Sequence, residues 1–167
     1  MKNIFLIFMS LILVSCTKSD DSVGLIFNQE SYDTNRELWE NSGIKDYSFV
    51  QAYSSNSVGG LPKLITVVID SKLDTIYTQS SEFHDYSIEN HPHYKTINEV
   101  FDYINNTVES CNKQINSSDS PMEGAEIEIE YDENYYYPTK IKFSGYYPEG
   151  LVGGLNGRII ISDFKVN

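Results

Sequence analysis

Residues Ala125–Tyr131 alternate without a break: Ala125, Ile127, Ile129 and Tyr131 in one set, Glu126, Glu128 and Glu130 in the other. Successive side chains of a strand point to opposite faces, so this run must lay one face on a core and leave the other in water. Tyr137–Phe143 answers it, with Tyr137, Thr139, Ile141 and Phe143 against Lys140 and Lys142. An antiparallel hairpin with Asp132–Tyr136 as its loop pairs Tyr131 with Tyr137, Glu128 with Lys140 and Glu126 with Lys142. Each opposed charge pair contributes about 0.2–1 kcal/mol. A slip of one residue would bury the charged face. A salt-bridged surface therefore accounts for the three glutamates better than paired catalytic carboxylates do.

The remaining pattern supplies two helices and more strands. A helix is expected from about Ser31 to Ser42, carrying Tyr32, Leu38 and Trp39. Gly43 closes it in a left-handed cap, with Ile44 folding back behind. Tyr47–Tyr53 alternates as a strand, and Asn56–Pro62 reads as a loop. Lys63–Asp70 is apolar on both faces, which predicts a central strand, and Ser71-Lys72 turns into Leu73–Gln79. After an irregular stretch, Ser80–Lys95, a capping box (Thr96-Ile97-Asn98-Glu99) opens a long amphipathic helix. Ile97, Val100, Phe101, Ile104, Val108, Cys111 and Ile115 form its apolar stripe. Tyr146–Asn156 is a glycine-rich connection without the ending of a phosphate loop, and Arg158–Val166 is a last strand. The expected class is α+β: an antiparallel sheet of about five or six strands with two helices on one face.

The N-terminus gives an address. Lys2 precedes an apolar run, Ile4–Val14, and then Leu13-Val14-Ser15-Cys16. Eleven helical residues span roughly 16 Å at about 1.5 Å each, too short to cross about 30 Å of hydrocarbon. The pattern is that of an export signal, and its end resembles the bacterial lipoprotein cleavage site. That resemblance implies residues 1–15 as signal peptide, Cys16 as the acylated N-terminus, 16–27 as a flexible tether and 28–167 as one domain. Ser19-Asp20-Asp21 resembles the surface-export signal of Bacteroidota-type lipoproteins. The expected location is the cell envelope, at the outer membrane and on either of its faces, with the membrane contacted through fatty acids on Cys16.

Twelve basic residues face 24 acidic ones, a net charge of −12. Loss of residues 1–15 removes only Lys2, leaving 11 against 24, or −13. Such a surface repels phosphate backbones and excludes nucleic acid as a partner. Of two cysteines, acylation of Cys16 leaves Cys111, which sits on the apolar stripe and is expected to be a core thiol.

Three stretches resemble a family of bacterial exported proteins of unknown function, many of them lipoproteins. They are Trp39…Gly43-Ile44-Lys45-Asp46-Tyr47-Ser48-Phe49, Thr96-Ile97-Asn98-Glu99-Val100-Phe101, and Tyr131-Asp132 followed by Tyr137-Pro138-Thr139-Lys140-Ile141. The last is similar to the family's Tyr-Asp…Gly-Tyr-Pro-x-x-Ile signature. The resemblance runs from about Ser31 to Phe164. Tyr136 stands where the family usually has Gly, and Ser71-Lys72 where it often has Asp-Gly. The family carries no established activity, so it implies no catalytic residue and no cofactor.

Two candidate sites remain. His84, His91 and His93, with Asp85, lie in one irregular segment. Pro92 extends the residue before it, so His91 and His93 share a face, and imidazoles beside carboxylates suit zinc. Tyr135 and Tyr136 form one aromatic run, Tyr146 and Tyr147 another. Exposed tyrosines bind sugars or proteins, but the two runs stand at opposite ends of one strand, roughly 23 Å apart at about 3.3 Å per residue. The leading expectation is a non-catalytic binding or interaction domain with a protein or glycan partner. Two alternatives stand beside it: a metal-dependent enzyme or sensor at the histidines, and an inhibitor of a secreted hydrolase.

Overall fold

The computed structural model describes residues 24–55, 59–60, 63–78, 93–151 and 154–167. Along the chain these form β1 (Gly24–Phe27), α1 (Gln29–Asn41), β2 (Tyr47–Ser55), β3 (Gly59–Gly60), β4 (Leu64–Ile69) and β5 (Lys72–Thr78). Then follow α2 (Ile97–Ile115), β6 (Gly124–Tyr131), β7 (Pro138–Tyr146) and β8 (Asn156–Val166). One sheet runs β1-β6-β7-β8-β2-β4-β5, with two-residue β3 paired to β2. Both helices pack on one face, where Tyr32 and Trp39 of α1 and Ile97, Val100, Phe101, Ile104 and Val108 of α2 meet Phe49, Ile127, Ile141, Phe143 and Ile159 in the main core. The class is α+β, as expected.

The sheet is larger than expected and it is mixed. β1 lies inside the stretch read as tether and pairs in parallel with β6, Leu25 beside Ala125 and Phe27 beside Ile127. Four residues are too few to display a period. Only Leu25 and Phe27 turn to the core, while Ile26 is 48% exposed. β3 is two glycines from the stretch read as loop. β4 is not central, since it lies one strand in from the β5 edge. Its Leu64, Thr66 and Val68 are fully buried, Leu64 against Ile76 and Tyr94, whereas Ile69 on the other face is 51% exposed.

The β6–β7 hairpin keeps its expected faces but not its expected pairs. Glu130 opposes Lys140 and Glu128 opposes Lys142, each in a salt bridge, while Glu126 opposes Ser144. The ladder has slid by two residues, which preserves the side on which each residue points. The loop is the cause. Asp132 Oδ1 accepts from the N–H groups of Asn134 and Tyr135, and Tyr136 N–H donates to the Asp132 carbonyl. Tyr136 then takes a left-handed φ of 64°, and an irregularity sets Tyr131 against Pro138. The left-handed region costs a side chain more than it costs glycine, so Tyr136 is held there by the turn around it. The β4–β5 turn is likewise shifted by one. Asp70 and Ser71, at φ 47° and 63°, form it instead of Ser71-Lys72. Two positive φ values match the twist of a two-residue hairpin.

α1 begins two residues earlier than expected because Asn28 caps it, its Oδ1 accepting from Ser31 N–H at 3.0 Å. Gly43 closes the helix at φ 67°, as its sequence position implies. α2 carries the complete capping box: Thr96 Oγ1 accepts from Glu99 N–H, and Glu99 Oε2 accepts from Thr96 N–H.

Tyr47, 1% exposed, joins four elements. From β2 its hydroxyl accepts the N–H of Ile97, the first residue of α2, at 3.0 Å. Its ring meets Trp39 of α1 edge-on at 5.4 Å and Phe164 of β8 at 5.4 Å. Burial pushes its phenol up to about 12, with the Ile97 bond opposing and Glu99 assisting. Tyr137 is pushed up to about 12 as well, by burial and then by Asp132. A folded-state value above the unfolded one means stability present below pH 10 and lost as pH rises from 10 towards about 12. Urea unfolding should therefore show a falling midpoint across that window. Tyr47→Phe should lose about 1–3 kcal/mol at pH 8 by orphaning a buried N–H. Its deficit against the parent should shrink at pH 11, because phenylalanine has no proton to lose. A deficit that grows with pH would contradict the assignment.

Candidate functional site

A cleft of about 220 Å³ opens between the C-terminal half of α2 and the connections flanking β6 and β8. α2 supplies Tyr103, Thr107 and Cys111 along one ridge and Asn106, Ser110 and Gln114 along the next. Residues three and four apart on a helix are neighbours, so each set lines one side. Met122 and Leu155 form the opposite wall. Cys111, Met122 and Ala125 make a small buried cluster beneath, against which Leu25, Ile115, Tyr147 and Leu155 pack.

Several of the lining groups have fixed partners. The ring of Tyr103 meets Phe143 edge-on at 5.5 Å, and Lys95 Nζ lies over its face at 5.6 Å. Thr107 Oγ1 donates back to the Tyr103 carbonyl at 2.7 Å, so that hydroxyl is spent on the helix. Gln114 Nε2 donates to Ser110 Oγ at 3.1 Å. Cys111 is 2% exposed and burial pushes its thiol up, so the sulfur is neutral and a weak nucleophile. The expected core cysteine is what the structure contains.

Leu155 reaches the wall because Tyr147 braces it. The Leu155 N–H donates to Tyr147 Oη at 2.9 Å, and the Leu155 carbonyl accepts from Gly145 N–H at 2.7 Å. The Tyr147 ring lies flush on two glycines. A Cβ at Gly145 would fall 2.7 Å from that ring, and one at Gly154 2.3 Å. The glycine-rich connection is thus a seat for an aromatic ring at this end.

The sequence-predicted residues scatter. Tyr147 is this brace, half-buried. Tyr146 points to the other face of the sheet, where its hydroxyl donates to Glu126 Oε2 at 2.8 Å, a bond that raises its pKa. Tyr135, 40% exposed, leans on Phe164 at 5.3 Å, and Tyr136 serves the left-handed turn. β7 separates the two tyrosine runs, so they make no common platform. His93 stacks on Tyr53 at 4.6 Å, and its carbonyl accepts from the fully buried Gln51 amide at 3.2 Å. His84, His91, Asp85 and Cys16 lie outside the described residues. Among the described residues no group of three His, Cys, Asp or Glu is placed to hold a metal ion.

Tyr103, Thr107, Ser110, Gln114, Met122 and Leu155 were not singled out from the sequence. The signal was a second stripe on α2, at positions 103, 107, 110 and 114, running beside the apolar one. It is too mixed in polarity to stand out.

Residues 31–147 match the sequence profile of a family of unknown function, DUF6174. The chain belongs to that family. No curated protein and no solved structure matches. Within the family-matched stretch fall the whole α2 wall of the cleft and Met122, whereas Leu155 lies beyond it.

The brace gives a paired prediction. Gly150 and Gly154 both have positive φ, 91° and 97°, but a Cβ at Gly150 would meet nothing within 4 Å. Gly154→Ala should therefore cost about 1–3 kcal/mol more than Gly150→Ala, the difference being overpacking against Tyr147. Thermal unfolding of the two variants measures it, and equal losses would remove Tyr147 from the account.

Proposed function

We propose that this chain is a lipoprotein of the cell envelope, held at the outer membrane by fatty acids on Cys16, and that its domain binds rather than catalyses. The observation that carries the binding half is the cleft on α2. Its walls are a methionine, a leucine, an aromatic ring and a neutral thiol, and its rim is uncharged amide and hydroxyl. Such a lining holds an apolar group and offers hydrogen bonds at the mouth. It offers no activated nucleophile and no acid–base pair of opposed pKa.

The anchoring half rests on the leader and on spacing. β1 begins at Gly24, eight residues after Cys16. A leash of eight residues reaches at most about 29 Å when fully extended. The folded part thus works close to whatever surface Cys16 occupies. Several acyl chains on one cysteine make a durable anchor, where one chain is marginal.

Metabolic labelling with an alkynyl fatty acid tests the reading. The parent and Cys111→Ala should both take up label and partition with the membrane fraction. Cys16→Ala should take up none. Label persisting in Cys16→Ala, or absent from the parent, overturns it.

A further inference from the structure

We propose that the α2 cleft takes the end of an acyl chain from a lipid of the bilayer to which the protein is anchored. This rests on the anchoring reading above and adds to it a ligand class and an orientation.

Size and lining come first. A dry apolar cavity of about 150 Å³ is enough to take benzene, and drug-sized ligands need about 300 Å³ or more. At about 220 Å³, the cleft fits part of one thin chain and not a whole lipid. Met122 is unbranched and conforms to a thin guest. Thr107 donates its hydroxyl to the Tyr103 carbonyl, so it brings no unpaired donor to the cleft. The rim residues Asn106, Ser110 and Gln114 are exposed and uncharged, so no charge has to be desolvated as a chain enters.

Position comes second. Leu25, the second residue of β1, packs on the same Cys111–Met122–Ala125 cluster that floors the cleft. Gly24 pairs with Gly124 at the start of β6, next to Met122. The leash therefore leaves the domain beside the cleft. The 132–137 hairpin lies at the other end of β6, about eight residues or roughly 25 Å away. Of the two ends of the sheet, the one carrying the cleft is held against the bilayer.

Chemistry comes third. Moving a chain end from bilayer to cleft exchanges one apolar setting for another, so occupancy follows the supply of chains at the surface. The neutral thiol of Cys111 is a wall atom and forms no bond.

The test uses the mature lipoprotein, purified from its own membranes and reconstituted into phosphatidylethanolamine–phosphatidylglycerol vesicles. A trace phospholipid carries a diazirine near the end of one acyl chain. After illumination, flotation separates bound protein and mass spectrometry maps the adducts. The expected result is adducts on the peptides holding Tyr103–Gln114, Met122 or Leu155. They should be lost in Ser110→Trp, which fills the mouth from an exposed position, and in Leu155→Arg. Ser110→Trp should keep the parent's flotation and circular dichroism. Protein that floats with adducts confined to residues 16–23, or with none, overturns the inference and leaves the anchoring intact. In a parallel arm the diazirine is carried by the fatty acids on Cys16 instead. Cleft adducts from that arm alone overturn the bilayer-lipid source. Protein that does not float overturns the anchoring reading, and this inference with it.

Discussion

The structure depends on how one buried phenol ends a helix. The first turn of α2 has N–H groups with no partner inside the helix. One goes to Thr96 at the cap; another, from Ile97, goes to Tyr47 on β2. The same ring touches Trp39 of α1 and Phe164 of β8. Trp39 in turn donates from Nε1 to Asn98 Oδ1 at 2.7 Å, again at the start of α2. Both helices are thereby keyed to the sheet at one end of α2. The other end of α2 is free to serve as a wall.

That division explains why the cleft lies where it does. Near its N-terminus, α2 is held by directional bonds: Tyr47, Trp39, and the Tyr32 hydroxyl donating to the Phe101 carbonyl at 2.9 Å. Towards its C-terminus the contacts are apolar, with Leu25, Met122 and Leu155. Apolar contacts are not directional, so a wall made of them adjusts to a guest more cheaply than one made of hydrogen bonds. Tyr147, seated on Gly145 and Gly154, limits that adjustment by fixing Leu155. The cleft is soft on one side and braced on the other.

Much of this was legible in the chain, for physical reasons that differ by element. The α2 helix announced itself through its capping box and its stripe. The faces of β6 and β7 followed from glutamates and lysines that cannot be buried. Their pairing did not, because a slide of two residues leaves every face unchanged and only the Asp132 turn chooses between the alternatives. β1 escaped because four residues beside a polar leader carry no period. The cleft escaped because its walls come from three separated stretches, and because Met122 and Leu155 sit in connections between elements. Tyr147 was visible as an aromatic, but its partners, two glycines and a backbone N–H, have no side-chain signature.

The most direct measurement is the depth of two labels. A nitroxide or fluorophore on Asp119→Cys, in the connection beside Met122, and another on Glu133→Cys, at the far hairpin, can be read against headgroup-quencher lipids in vesicles carrying the lipidated protein. Both residues are exposed, and the native Cys111 is buried. Strong quenching at 119 with little at 133 is the result predicted for a domain held with its cleft towards the bilayer. Equal quenching at the two positions, or stronger quenching at 133, would contradict it.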